Sequence, residues 1–172
     1  MNAVKVTSGK WRGRVLTAPG GATHPMGARE KLALFNMLTD YLPDARVLDA
    51  FAGSGALGIE ALSRGAKKGV FIEKSPKAAR IIRENLTTLR AGGEIFIGTV
   101  QNYSGNDEFD IILADPPYDN FKAEEVATLV KLLKDGGIFA LSHPGEAPEI
   151  AGLNLKKTSR YAGARISLYS KH

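Results

Sequence analysis

The chain has no cysteine. That excludes a disulfide framework, every thiolate metal site and thiol nucleophilic catalysis, and it fits a reducing, cytoplasmic location. Histidine is almost as scarce. His24, His143 and His172 are too scattered in sequence to suggest a zinc cluster, so no metal is expected. No apolar run approaches the ~18 residues of a membrane span, and Met1 begins no signal-peptide pattern, so no membrane partner is expected. There is no internal repeat or low-complexity tract, and no heptad or long apolar stripe demands a second copy. A monomer is the expectation.

What is present is ordinary globular composition: 172 residues, 44% hydrophobic and 24% charged, enough for one domain with a core. The net charge of +5 is unevenly spread. Residues 1–31 carry +5, residues 32–152 carry −5 and residues 153–172 carry +5. Two basic ends around an acidic middle imply an anionic partner met by the termini.

Residues 3–8 and 14–18 read as short strands, with Gly9 and Gly13 allowing a turn between them. A helix follows over about 28–42, with Leu34, Leu38, Tyr41 and Leu42 near helical spacing and Pro43 ending it. Residues 1–45 therefore read as a basic hairpin and helix appended to a domain spanning 46–172. In that domain strands are expected at 46–50, 69–73, 94–98, 109–114 and 137–142. Helices are expected at about 55–64, 76–89 and 122–134. Alternation of this kind implies a mostly parallel sheet covered on both faces. Two more strands, 154–159 and 164–170, meet at Gly163 and would form an antiparallel hairpin at one edge. The expected fold is α/β, doubly wound, with seven core strands.

Two motifs carry chemistry. Gly53, Gly55 and Gly58 form G-x-G-x-x-G directly after the strand Val47-Leu48-Asp49, and Glu73 ends the next strand. Alone this is a generic nucleotide-binding signal. A dinucleotide would set its pyrophosphate beside the helix N-terminus, where Asp49 would repel it. An acid there suits a cofactor presenting positive charge and no phosphate, as S-adenosylmethionine does, with Glu73 taking the ribose hydroxyls. The second motif, Asp115-Pro116-Pro117-Tyr118, follows the strand 109–114. An exocyclic amine on a nucleobase is a poor nucleophile because its lone pair is delocalised into the ring. The Asp115 carboxylate and Pro116 carbonyl could hold its two N–H groups and turn the lone pair toward a methyl group. Tyr118 would stack on the base.

The runs VLDAFAGSGALGIEALSRGA (47–66), FIEK (71–74) and DPPY (115–118) resemble the bacterial 16S ribosomal RNA guanine-N2 methyltransferases. GKWRGRVLTAP (9–19) is similar to that family's basic opening hairpin, LFN (34–36) to its next helix and YAGARISLY (161–169) to its last strand region. The resemblance implies a class I, Rossmann-like fold and methyl transfer from S-adenosylmethionine to a guanine N2 amine. The substrate would be 16S rRNA or the assembling small ribosomal subunit. By family pattern Asp115, Pro116, Pro117 and Tyr118 are catalytic. Asp49, Phe51, Ala52, Gly53, Ser54, Gly55, Glu73 and Lys74 would bind cofactor. Gln101 or Asn102 could bond the adenine edge, where many such enzymes place an acid. Lys10, Trp11, Arg12 and Arg14 interleave an aromatic with cations, as RNA-contacting surfaces do, and His24, Arg29 and Lys31 fall in the segment expected to meet RNA. The chain departs from the family in carrying His24-Pro25-Met26, Ala28 and Lys31-Leu32, and in having Ser142-His143 where a glutamate often ends the fifth strand. Two other activities remain open: adenine-N6 methylation of DNA by the same motif, and a non-catalytic ribosome-assembly role.

Overall fold

A computed structural model describes residues 3–20, 26–106, 108–161 and 163–172. The chain opens with a two-stranded antiparallel hairpin, β1 (Ala3–Lys5) and β2 (Val15–Thr17). Both strands are shorter than the sequence predicts. The backbone between them is occupied by turns and by bonds to the rest of the domain. The first helix, α1 (Ala28–Met37), ends before Pro43. Thr39 stops it by donating its hydroxyl to the carbonyls of Phe35 and Asn36 at 3.1 and 3.0 Å, and residues Thr39–Tyr41 tighten into a 3-10 turn.

The remaining elements are β3 (Arg46–Asp49), α2 (Ala56–Ser63), β4 (Lys68–Glu73), α3 (Pro76–Leu89), β5 (Glu94–Ile97), β6 (Phe109–Ala114), α4 (Ala123–Ala127), β7 (Leu133–His143), β8 (Leu153–Tyr161) and β9 (Ala164–Lys171). Seven strands form one sheet in the order β5-β4-β3-β6-β7-β9-β8, and β9 alone runs antiparallel to its neighbours. The chain winds outward from β3 through β4 to β5, then returns to β6 on the other side of β3. The carboxyl ends of β3 and β6 therefore flank the switch point, where ligands of open α/β sheets bind.

The helix expected over 122–134 is a correction. Only Ala123–Ala127 is α-helical, a 3-10 turn takes Val130–Leu132, and β7 begins at Leu133 rather than at 137. Val126, Leu129, Leu132 and Leu133 all enter one apolar cluster, so their helix-like spacing is satisfied by a short helix and a turn. Leu133 already pairs with Phe109, and a bulge through Gly136 (φ +78°) separates that pair from Ile111–Ile138.

Strand residues alternate between two apolar layers. Leu48, Ile112, Phe139 and Leu141 face one side, and Val47, Ile111, Ile138 and Ala140 face the other. Leu34, Phe35, Leu38 and Leu42 belong to that second layer. The segment 1–45, expected as an appendage, thus contributes α1 to the main core. Among the described residues no helix is long and apolar enough to cross a membrane.

Candidate active site

Asp49 ends β3 and is 1% exposed. Its Oδ2 accepts the Gly58 N–H at 2.9 Å, while the buried Oδ1 has no partner. Burial pushes the carboxyl up to about 7, against the Gly58 N–H, and the charges of Asp115 and Glu73 add to the rise. The glycines have separate tasks. Gly53 (φ +56°) and Gly55 (φ +81°, the residue before α2) adopt left-handed backbone that turns the chain from strand to helix. A Cβ at Gly53 would stand in open space, whereas one on Gly58 would lie 2.4 Å from the Phe71 ring. The last glycine therefore serves close packing of α2 on β4.

Glu73 ends β4, and its carboxylate ties the loop together. Oε2 accepts the Gly53 N–H at 2.7 Å and Oε1 accepts the Ser75 N–H at 2.9 Å. Each oxygen keeps a further lone pair for a hydroxyl donor. Ser54 is buried, and its carbonyl accepts from the Asn85 amide at 3.0 Å. Asn85 also exchanges hydrogen bonds with the backbone of Thr17, so one α3 side chain anchors both the glycine loop and β2. Nothing in the local sequence announced Asn85, because its partners come from two distant segments.

Asp115 follows β6 directly and stands beside Asp49 at the switch point. Burial raises its carboxyl to about 6, offset in part by the Ser142 hydroxyl. Pro116 is buried and Pro117 exposed, and Tyr118 is half-buried at the start of a 3-10 turn, Tyr118–Asn120. The Tyr118 hydroxyl bonds the Ser142 hydroxyl. Burial raises the Tyr118 phenol, and Asp115 and Glu30 add to that rise. Thus Asp49, the glycine loop, Glu73 and Asp115–Tyr118 gather at one edge of the sheet, with Phe51 and Ala52 in the loop between them. Lys74 is exposed one residue beyond Glu73. Gln101 is exposed past β5, where its amide donates to Glu125 at 2.7 Å.

The residues expected to meet RNA are dispersed. Lys31 is a correction: it is 1% exposed, pairs with Glu60 at 3.2 Å and donates to the Lys5 carbonyl at 2.6 Å. A side chain so enclosed cannot touch RNA. Lys10 and Trp11 dock on the last turn of α2 through the Ser63 carbonyl and hydroxyl, at 2.9 and 3.0 Å. The Lys10 ammonium lies 4.5 Å from the Trp11 ring centroid. Arg14 donates to the Thr88 carbonyl at 3.3 Å, near the end of α3. The hairpin turn thus borders a shallow cleft of about 350 Å³ with Lys67, Lys68, Arg90 and Glu94. That cleft lies where β4 and β5 begin, a strand length of about 20 Å from the carboxylates. Arg29 is exposed on the first turn of α1, and His24 lies outside the described residues.

A mostly parallel seven-stranded sheet with acids at the ends of its central strands and a glycine turn between them defines a Rossmann-like methyltransferase. The chain belongs to the family described as Conserved hypothetical protein 95, whose profile matches residues 4–170. It is 33% identical to the Bacillus subtilis protein YlbH over 187 residues, covering 98% of this chain and 99% of that one. It is 40% identical to the ribosomal RNA small subunit methyltransferase D of Haemophilus influenzae over 139 residues, or 74% and 70% of the two chains. The solved Escherichia coli protein yhhF superposes with a TM-score of 0.89 at 30% identity, over 99% of each chain. This class implies S-adenosylmethionine as cofactor. The site fits it: an unpartnered buried carboxylate oxygen suits a cationic ligand, and open space lies over Gly53.

Proposed function

We propose that this chain methylates the exocyclic N2 amine of a guanine in small-subunit ribosomal RNA, with S-adenosylmethionine as donor. The observation that carries the reading is the meeting of Asp115-Pro116-Pro117-Tyr118 with Asp49 across the switch point. Asp49 Oδ1 would take the cofactor's ammonium, Glu73 its ribose hydroxyls, and the backbone of Phe51, Ala52, Gly53, Ser54 and Gly55 would enclose it, flanked by Lys74 and Gln101. When bound, S-adenosylmethionine supplies a methyl group already activated on a sulfonium. The protein then has to position the acceptor. The Asp115 carboxylate and Pro116 carbonyl accept the two amine N–H groups, Pro117 keeps the turn stiff, and Tyr118 covers the face of the base. On transfer the amine nitrogen would have one proton to shed, and the Asp115 carboxylate would be placed to receive it.

Arg29 lies on the first turn of α1, next to Glu30, whose charge reaches Tyr118, and it would meet RNA together with His24. Lys10, Trp11, Arg12 and Arg14 would act as a remote anchor for flanking phosphates rather than as contacts to the target base. The reading is tested by transfer of radiolabelled methyl to small subunits lacking the modification, to 16S RNA and to duplex DNA, followed by nucleoside analysis. Label in N2-methylguanosine of the ribosomal substrate supports it, and label only in N6-methyladenine of DNA overturns the target. Asp115→Ala should lower the rate by about 10²- to 10³-fold, as expected for removing a preorganised polar contact, while calorimetry shows S-adenosylmethionine still bound.

A further inference from the structure

Ser142 belongs to no motif, yet its hydroxyl meets the Tyr118 hydroxyl and the strand register sets it beside Asp115. It is 3% exposed and lies near the end of β7, paired on one side with Ile166 of β9. On the other side Ala114 of β6 pairs with Leu141, so the next step along both parallel strands sets Asp115 beside Ser142. The Ser142 hydroxyl meets the Tyr118 hydroxyl and also stabilises the Asp115 carboxylate. The neighbouring His143 is fully buried, and its Nε2 bonds the Ser167 hydroxyl at 2.7 Å, so the backbone carrying Ser142 is held from both faces.

The inventory of protons fixes the direction of this chain. A carboxylate only accepts, and a hydroxyl has one proton to give. With Asp115 ionised, a Ser142 hydroxyl lying between the two groups has only one arrangement that serves both: it donates to Asp115 and accepts from Tyr118. One carboxylate oxygen is then engaged by the protein, and the other is left to receive a substrate N–H. The tyrosine ring is tethered at its far end, so its face is presented in a fixed plane. We propose that Ser142 is a positioning residue of the methyl-transfer site, aligning the Asp115 carboxylate with the acceptor amine and the Tyr118 ring with the base. This rests on the amine-methylation reading of Asp115 and Tyr118. The other acids facing the pair are Asp49 from β3 and Glu30 from α1.

The test uses the full chain carrying Ser142→Ala, Ser142→Thr or Tyr118→Phe. Ser142→Ala should lower kcat about 10- to 100-fold, as misplacement of a reacting group does, with S-adenosylmethionine affinity unchanged by calorimetry. Its acid limb in the pH–rate profile should move to higher pH, because Asp115 loses the donor that favours its charged form. Ser142→Thr, which keeps the hydroxyl, should restore both rate and profile, and Tyr118→Phe should lower kcat with the smaller pH shift. Carboxyl ¹³C NMR of Asp115 gives a readout free of turnover: its titration midpoint should rise in Ser142→Ala. An unmoved midpoint overturns the role of Ser142 whatever the activity. Failure of the wild-type protein to methylate any nucleic acid instead overturns the reading on which the role rests.

Discussion

Asp49 and Glu60 are both buried carboxylates of one strand–loop–helix unit, and the protein treats them in opposite ways. Glu60, on α2, accepts from the Thr7 N–H and hydroxyl, the Ser8 N–H and the Arg64 guanidinium, and Lys31 lies 3.2 Å away. Burial would raise its carboxyl, but the Thr7 N–H, Arg64 and Lys31 outweigh that and hold it below the usual carboxylate range. Burial lowers Lys31 as well, against the pull of Glu60. Asp49 has one N–H donor and an unpartnered oxygen, and burial leaves it near neutrality of pH. A carboxylate satisfied by the fold holds the fold together. One the fold leaves unsatisfied is open to a ligand, the role the proposed function gives Asp49.

The difference is sharpest when a partner is removed. Lys31→Met should cost about 3 kcal/mol, because the Glu60 charge stays buried with less to offset it. Urea unfolding measures the loss, and a cost below about 1 kcal/mol would mean that Arg64 and the Thr7–Ser8 backbone suffice. Asp49→Asn should have the opposite sign. The amide oxygen can still accept the Gly58 N–H while the buried charge disappears, so the cofactor-free protein should melt several degrees higher. Its affinity for S-adenosylmethionine should fall at least ~10-fold, the loss expected for one charge-assisted hydrogen bond. A variant that melts lower would place Asp49 with Glu60 as a structural carboxylate.

The same contrast predicts two pH responses. Asp49 and Asp115 hold their protons to about 7 and about 6, above the ordinary 3.8. The folded state therefore binds more protons than the unfolded state between roughly pH 4 and 7. These two groups should make the cofactor-free protein less stable as pH rises through that window, which denaturation at pH 5 and pH 8 can check. Cofactor affinity should change the other way, strengthening as Asp49 ionises near pH 7, and calorimetry across that range reads it. The smallest effect is expected where charge is exposed. Arg12→Ala should leave stability within about 0.5 kcal/mol and reduce the salt slope of RNA binding by about one.

The glycine loop, Glu73 and the Asp-Pro-Pro-Tyr turn were legible because each is a local motif next to a strand whose type its apolar run declares. Helix α3 was legible over 76–89, and in the structure Ser75 caps it and Pro76 opens it. The 122–134 segment was misread because Leu129, Leu132 and Leu133 have helical spacing whether they lie on a helix or on a turn leading into a strand. Lys31 was misread for a related reason. In a basic segment it looks like any surface cation, and only the packing of α1 on α2 brings Glu60 to it. Asn85 had no signal at all and Ser142 only its departure from the family pattern, since the partners of both lie on other elements.

By itself, then, the sequence determined the parallel α/β order and the grouping of the motifs at the carboxyl edge. Those properties follow from periodicity, turn residues and the handedness of strand–helix–strand units, all of which act over short stretches of chain. Tertiary structure alone decided which buried carboxylate is neutralised and which is left open, that the hairpin cations lie a strand length from the carboxyl edge, and that Ser142 meets Tyr118 beside Asp115. Each of those depends on pairing between distant segments, where distance, burial and the number of donors set the energy of a charge, and no local pattern encodes them.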